Sequence, residues 1–221
     1  MVEIAVERRV LEANDRLAAD NRRLLEKKGV FVVNIMSSPG AGKTTLLERT
    51  AAGLKGEFNL AVIEGDIQTT TDADRIAAQG VAAVQINTAG ACHLDAQMVG
   101  QALDALELDG LDLLIIENVG NLVCPAGFDL GERARVMLLS TPEGEDKPAK
   151  YPLMFRLCQV LIINKTDLLP YLPFSLEAVK REVARINPQM EIFELSALKD
   201  QGLEAWLDWL RAGVAEMRAG G

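Results

Sequence analysis

Aromatic residues are few: two Trp, two Tyr and six Phe in 221 residues. Histidine is scarcer still, with His93 the single one. Three cysteines make an odd count and no disulfide framework, which points to reduced thiols in a cytoplasmic protein. Positive charge is in deficit, since 23 Lys and Arg against 32 Asp and Glu leave a net charge of −9. A phosphate backbone needs clustered cations, so a nucleic-acid partner is not expected. An anionic membrane surface is disfavoured for the same reason. No apolar run reaches the roughly 18 residues of a spanning helix. The first residues are rich in Glu and Arg, unlike a signal peptide. Internal repeats and low-complexity tracts are missing too.

What is there suits one α/β domain with a sizeable core: 49% apolar and 25% charged residues. Residues 3–28 are charged and read as a helix. Val10, Leu17 and Leu24 recur every seven residues, as do Leu11, Ala18 and Leu25, giving one narrow apolar stripe. The stripe docks either on the protein's own domain or on a partner. This separates an N-terminal helix, 1–28, from a main domain, 29–221. From Val30 strands and helices alternate. Strands are expected at 30–36, 59–64, 81–87, 111–117, 134–140, 159–164 and 190–195. Helices are expected at 43–54, 71–79, 94–107, 174–186 and 202–218. Runs such as LDLLIIE read as strands covered on both faces. The expected fold is therefore α/β, three-layered, with a mainly parallel sheet flanked by helices. Residues 141–150 form the most polar stretch and read as an exposed loop.

SSPGAGKT matches the P-loop template at all positions but its first, where Ser37 replaces Gly. An apolar strand precedes it and a helix follows, the context the template requires. Ser38, Pro39, Gly40, Ala41 and Gly42 turn the backbone so that successive N–H groups face phosphate oxygens at a helix N-terminus. Lys43 is expected to reach the β- and γ-phosphates. Thr44 would hold Mg²⁺, with Thr45 beside it. NKTD follows the apolar strand QVLII. Asp167 would accept two hydrogen bonds from guanine, whereas adenine would leave it desolvated and unpaired. Asn164 and Lys165 would brace the base and the P-loop. Ser196, Ala197 and Leu198 would offer a backbone N–H to the guanine oxygen. The order of these strings is that of a GTP-binding domain.

Glu117 ends LDLLIIE at the usual Walker-B position, suited to Mg²⁺ directly or through water. Asp72 is a second Mg²⁺ candidate, or else a helix cap through Asp72-x-x-Arg75. Asp74 reads as solvated surface. No water-orienting glutamine stands in the usual place, so slow intrinsic hydrolysis is expected. Asp66 is the candidate for orienting water.

Cys92 and His93 follow strand 81–87, and Cys124 follows strand 111–117. In a parallel sheet both loops leave on the carboxyl edge, where nucleotide binds. Two thiolates and an imidazole suit Zn²⁺ or Ni²⁺. Two readings stand: a soft-metal site, or a satisfied histidine beside a small buried thiol. Neighbouring residues point to opposite sides of a strand, so Cys92 and His93 need a bend, for which Gly90 is suited. A tetrahedral site would still lack one ligand, from water or a second subunit. Cys158, within RLCQVLII, reads as an inert core residue.

GACHLDA at 90–96 and ENVGNLVCPA at 117–126 complete the pattern. With them the chain resembles the hydrogenase nickel-incorporation GTPases (HypB type) over nearly its whole length. The resemblance implies a P-loop GTPase that dimerises with GTP and binds Zn²⁺ or Ni²⁺ at the subunit interface. It implies a role in inserting nickel into the large subunit of [NiFe] hydrogenase, with a small nickel chaperone as partner. The family's metal ligands fall on Cys92, His93 and Cys124. Its Mg²⁺ and phosphate residues fall on Lys43, Thr44, Asp72 and Glu117, with Asp66 nearby, and its guanine contacts on Asn164, Lys165 and Asp167. The N-terminal cysteine cluster and His-rich tract of many members are absent. The alternatives are a GTPase metallochaperone for another target, such as urease or a cobalamin enzyme, or a nucleotide switch with a structural Cys/His pair.

Overall fold

The computed structural model describes residues 4–66 and 75–220; the side chains of residues 4–9 and 66 lie outside that description. Helix α1 spans Ile4–Lys27, and Gly29, at φ 71°, lets the chain turn out of it. Then follow β1 (Phe31–Ser37), α2 (Lys43–Leu54), β2 (Leu60–Asp66), β3 (Ala82–Asn87), α3 (Ala96–Leu103), β4 (Leu113–Glu117) and β5 (Ala134–Ser140). After these come α4 (Lys147–Lys150), α5 (Pro152–Leu157), β6 (Val160–Asn164), α6 (Leu176–Ile186), β7 (Glu191–Glu194) and α7 (Leu203–Ala219). The seven strands pair in parallel in the order β3-β2-β4-β1-β5-β6-β7.

Side-chain alternation divides the core into two layers. Phe31, Val33 and Ile35 of β1, Val62 of β2, and Leu113 and Ile115 of β4 meet α2 and α7 on one face. Val32, Ile63, Leu114 and Ile116 meet α1 and α3 on the other. Met137, Leu161 and Ile163 continue that second face against Phe155 of α5 and Val179 of α6. Trp206 is fully buried, and its indole N–H donates to Thr50 Oγ1 at 3.0 Å. Both faces of the sheet are therefore covered, which is why its central strands are mostly apolar, with Asn34 of β1 a buried exception.

Three expectations change. The α1 stripe divides: Ala18 and Leu25 are buried, whereas Val10, Leu17 and Leu24 are 52%, 40% and 38% exposed. Beside the buried pair stand two polar residues, Asn14 and Asn21. Asn14 Nδ2 donates to the Asp129 carbonyl, and Asn21 Nδ2 donates to those of Ala96 and Leu130. Hydrogen bonding to loop carbonyls offsets the cost of burying these amides. Residues 141–150 are not a simple loop. Ser140 and Glu143 form a capping box over a 3₁₀ turn, Thr141–Glu143, and α4 follows. The helix expected over 94–107 is shorter: Asp95 accepts the Met98 N–H and caps α3 at its start, and after Leu103 the chain leaves the helix through a turn closed by Ala105 N–H to the Ala102 carbonyl. Of the helix expected over 71–79, residues 75–77 are helical and 71–74 lie outside the described residues.

Candidate functional site

β1 delivers the chain to the P-loop, and Gly42, at φ 100°, starts α2 without a side-chain cap. The first-turn N–H groups of α2 thus face the P-loop cavity. That cavity is about 500 Å³ and is lined by Pro39, Gly40, Gly42, Lys43, Thr44, Thr45, Glu64, Gly65, Arg75, Glu117, Asn118, Val119, Gly120 and Lys165. Lys43 Nζ lies 3.0 Å from Ser37 Oγ, and Thr44 Oγ1 lies 3.5 Å from Glu117 Oε1. The small residue Ser37, in place of Gly, thus supplies an oxygen to the lysine.

Glu117 has a neighbour that sequence reading passes over. The β2–β4 register sets Glu64 beside Glu117, and both are nearly inaccessible. The sequence signal for it is the EGD string, Glu64–Asp66, which carries an acid at each end. Neighbouring strands lie roughly 5 Å apart, so this register brings two buried carboxyl groups to one edge of the cavity. With Thr44 they offer hard oxygen donors, a set suited to a divalent cation such as Mg²⁺. Asp72 lies outside the described residues, as does the side chain of Asp66.

At the other end of the P-loop, Asn164 is 2% exposed. Its Nδ2 donates to the Ala41 carbonyl at 2.9 Å, and its Oδ1 accepts from the Ala197 N–H at 3.1 Å. Lys165, at φ 61°, sends Nζ to the Gly40 carbonyl at 2.7 Å. Asp167 is half-buried in the 3₁₀ segment that follows. Ser196 is buried and Leu198 is 65% exposed. The Ala197 N–H is engaged in bracing Asn164. The NKTD and SAL strings therefore meet at the P-loop backbone.

Cys92, His93 and Cys124 place one ligand atom each within 4.8 Å of one another. The bend that lets adjacent residues share a centre begins at Ala89 and Gly90, at φ 50° and 94°. A turn closed by Ala91 N–H to the Thr88 carbonyl holds it. Cys92 Sγ lies 3.6 Å from His93 Nδ1. β3 and β4 are not neighbours, because β2 stands between them. The 88–95 loop crosses the end of β2, where a Cβ on Gly65 would lie 2.8 Å from Leu94 Cγ. Glycine at 65 thus leaves room for the Leu94 side chain, next to His93, over the end of β2.

The His93 ring packs against Phe128, with centroids 3.9 Å apart and planes tilted by 32°, a contact that no local pattern announces. Burial pushes the His93 imidazole down, against the pull of Asp95, which favours the neutral form that ligates metals. The hydrogen bond to Cys124 and burial push the Cys92 thiol up, so metal entry must displace a proton. Cys158 is buried elsewhere, and burial pushes its thiol up to about 12.

This arrangement defines a class: a P-loop nucleotide-binding domain with a Cys₂His cluster on the same sheet edge. The family model "CobW/HypB/UreG, nucleotide-binding domain" matches residues 31–194. Hydrogenase maturation factor HypB of Azotobacter chroococcum mcd 1 is 53% identical over 218 residues, covering 98% of this chain and 71% of that protein. The crystal structure of HypB from Helicobacter pylori in complex with nickel superposes with a TM-score of 0.88 at 43% identity, covering 92% of this chain and 96% of that one. HypB from Archaeoglobus fulgidus gives 0.86 at 39% identity, covering 92% and 99%. The chain belongs to the HypB hydrogenase maturation factors, a family of P-loop GTPase metallochaperones.

Proposed function

We propose that this chain is a cytoplasmic GTPase that delivers nickel during maturation of [NiFe] hydrogenase. GTP-dependent homodimerisation is coupled to binding of Ni²⁺ or Zn²⁺. The observation that carries the reading is the placement of both donor sets on one short stretch: Glu117 beside Thr44 at its start, and Cys124 beside Cys92 and His93 at its end.

In this reading Lys43 and the P-loop N–H groups hold the β- and γ-phosphates. Thr44, Glu117 and Asp72 hold Mg²⁺, which when bound neutralises charge building on the phosphates. Asp66 orients the attacking water. Asp167 accepts from guanine, with Asn164 and Lys165 fixing the loop behind it and Ser196, Ala197 and Leu198 closing the base site. Two thiolates and an imidazole suit a borderline or soft cation as cargo and leave a fourth position for water or a second subunit. A small nickel chaperone and the hydrogenase large subunit are the protein partners. The nickel in the similar Helicobacter pylori protein supports the choice of metal.

Light scattering during Ni²⁺ titration, with GDP or a non-hydrolysable GTP analogue plus Mg²⁺, tests the reading. The analogue should drive dimer formation and alter metal affinity. A monomer in both states with no bound metal would refute it.

A further inference from the structure

We propose that Asn118 is a positioning residue that couples the P-loop cavity to the metal loops. The proposal rests on the reading of those two places as nucleotide and metal sites. Leu113 and Ile115 face α2, whereas Leu114 and Ile116 face α1 and α3. Asn118 borders the P-loop cavity, but continuing that alternation the Glu117 side chain turns to the P-loop face and the Asn118 amide to the opposite one, toward Asn34 and Leu94. Two consecutive residues thus address the two sites.

Asn118 is 1% exposed and highly connected. Its Oδ1 accepts from the Leu94 N–H at 3.2 Å, directly after His93. The same oxygen accepts from the Val119 N–H at 2.9 Å, where the loop to Cys124 begins. Its Nδ2 donates to Asn34 Oδ1 at 3.3 Å, and its backbone N–H donates to the Ile35 carbonyl at 3.0 Å. Both partners lie on β1, which runs into the P-loop at Ser37. Asn34 is held in turn by Glu132, whose Oε1 accepts from its Nδ2 at 3.3 Å. One amide therefore ties together the His93 arm, the Cys124 arm and the P-loop strand.

A shift of Glu117 when its oxygens engage a cation must be shared with Asn118 across one peptide unit. The buried amide passes that shift to both metal arms, because letting go of either would strand a desolvated polar group. Allosteric coupling of this kind changes affinity by about 5- to 150-fold. A structural amide alters stability alike in both nucleotide states. A positioning amide alters the ratio between them.

The test is Ni²⁺ affinity, measured by competition with a chromophoric chelator, with GDP and with a non-hydrolysable GTP analogue plus Mg²⁺. Wild type should show a ratio of at least about fivefold between the states. Asn118→Ala should bring the ratio to about one. Asn34→Ala, which cuts only the tie to β1, should lower it in part. Leu108→Ala, a core change on the same face, should leave it intact. A wild-type ratio near one overturns the coupled reading of the two sites and the proposal with it. A full ratio retained in Asn118→Ala overturns the proposal alone. Should that variant fail to fold, amide hydrogen exchange at Leu94 in metal-free wild type decides: exchange unchanged between the nucleotide states overturns the proposal.

Discussion

Asn164 donates across 2.9 Å to the Ala41 carbonyl, so a residue of the base-recognition string holds the backbone of the P-loop. Gly42 gives that amide its room, since a Cβ there would lie 2.6 Å from Asn164 Nδ2. Asn164→Ala should strand the Ala41 carbonyl and the Ala197 N–H, at a cost of about 1–3 kcal/mol for each group left buried and unpaired. Urea unfolding without nucleotide measures this. An unchanged midpoint would mean that the tie contributes nothing to the fold.

Lys43 sits above Ser37 Oγ, inside the cavity and beside the first turn of α2. Lys43→Ala should abolish triphosphate binding and hydrolysis while leaving the thermal midpoint of the nucleotide-free protein nearly unchanged. Normal turnover would sink the P-loop assignment. Asp167→Asn acts at the other end of the nucleotide. Replacing an acceptor with a donor should cut the preference for GTP over ATP roughly 10- to 100-fold. Competition binding with the two nucleotides gives the ratio directly.

The nucleotide strings were legible because their chemistry demands particular residue types in a fixed local order, and local order is what a sequence displays. The metal arms were half legible. The carboxyl edge could be deduced for both loops, but β2 stands between β3 and β4, and only the strand order reveals the crossing over Gly65. Phe128 behind His93 and Asn118 behind Glu117 act through tertiary contacts, which leave no periodic mark. The heptads of α1 reveal two rows, yet not that Ala18 and Leu25 go inside together with Asn14 and Asn21. Burial of those amides depends on carbonyls in loops far away in sequence.

Cys92 and Cys124 belong to the trio and Cys158 does not. Cys92→Ala and Cys124→Ala should each weaken Zn²⁺ or Ni²⁺ binding by more than the 10- to 100-fold typical of outer-shell changes. Cys158→Ala should leave metal affinity alone and lower stability by about 1 kcal/mol, the scale of a small core deletion. Equal metal affinities across the three variants would remove support for the site.

Arg22 of α1 grips both carboxylate oxygens of Asp129, at 2.7 and 2.8 Å, and the Gly131 N–H donates to the same group at 2.9 Å. Burial raises the Asp129 carboxyl, but the guanidinium and the N–H outweigh it and hold the group below its ordinary value. The sign follows from linkage. A depressed carboxylate contributes stability above its unfolded value, near 3.9, and loses it as the pH falls toward the folded value. Docking of α1 should therefore weaken below about pH 4, since protonated Asp129 no longer pairs with Arg22. Asp129→Asn keeps the shape and removes the charge. That variant should be less stable than wild type at pH 7 and should lose less on acidification, so the two curves converge below about pH 4. Unfolding midpoints measured from pH 3 to pH 7 provide the comparison. Parallel curves over the whole range would mean that the ion pair does not secure α1, leaving the Asn14 and Asn21 amides to hold the helix.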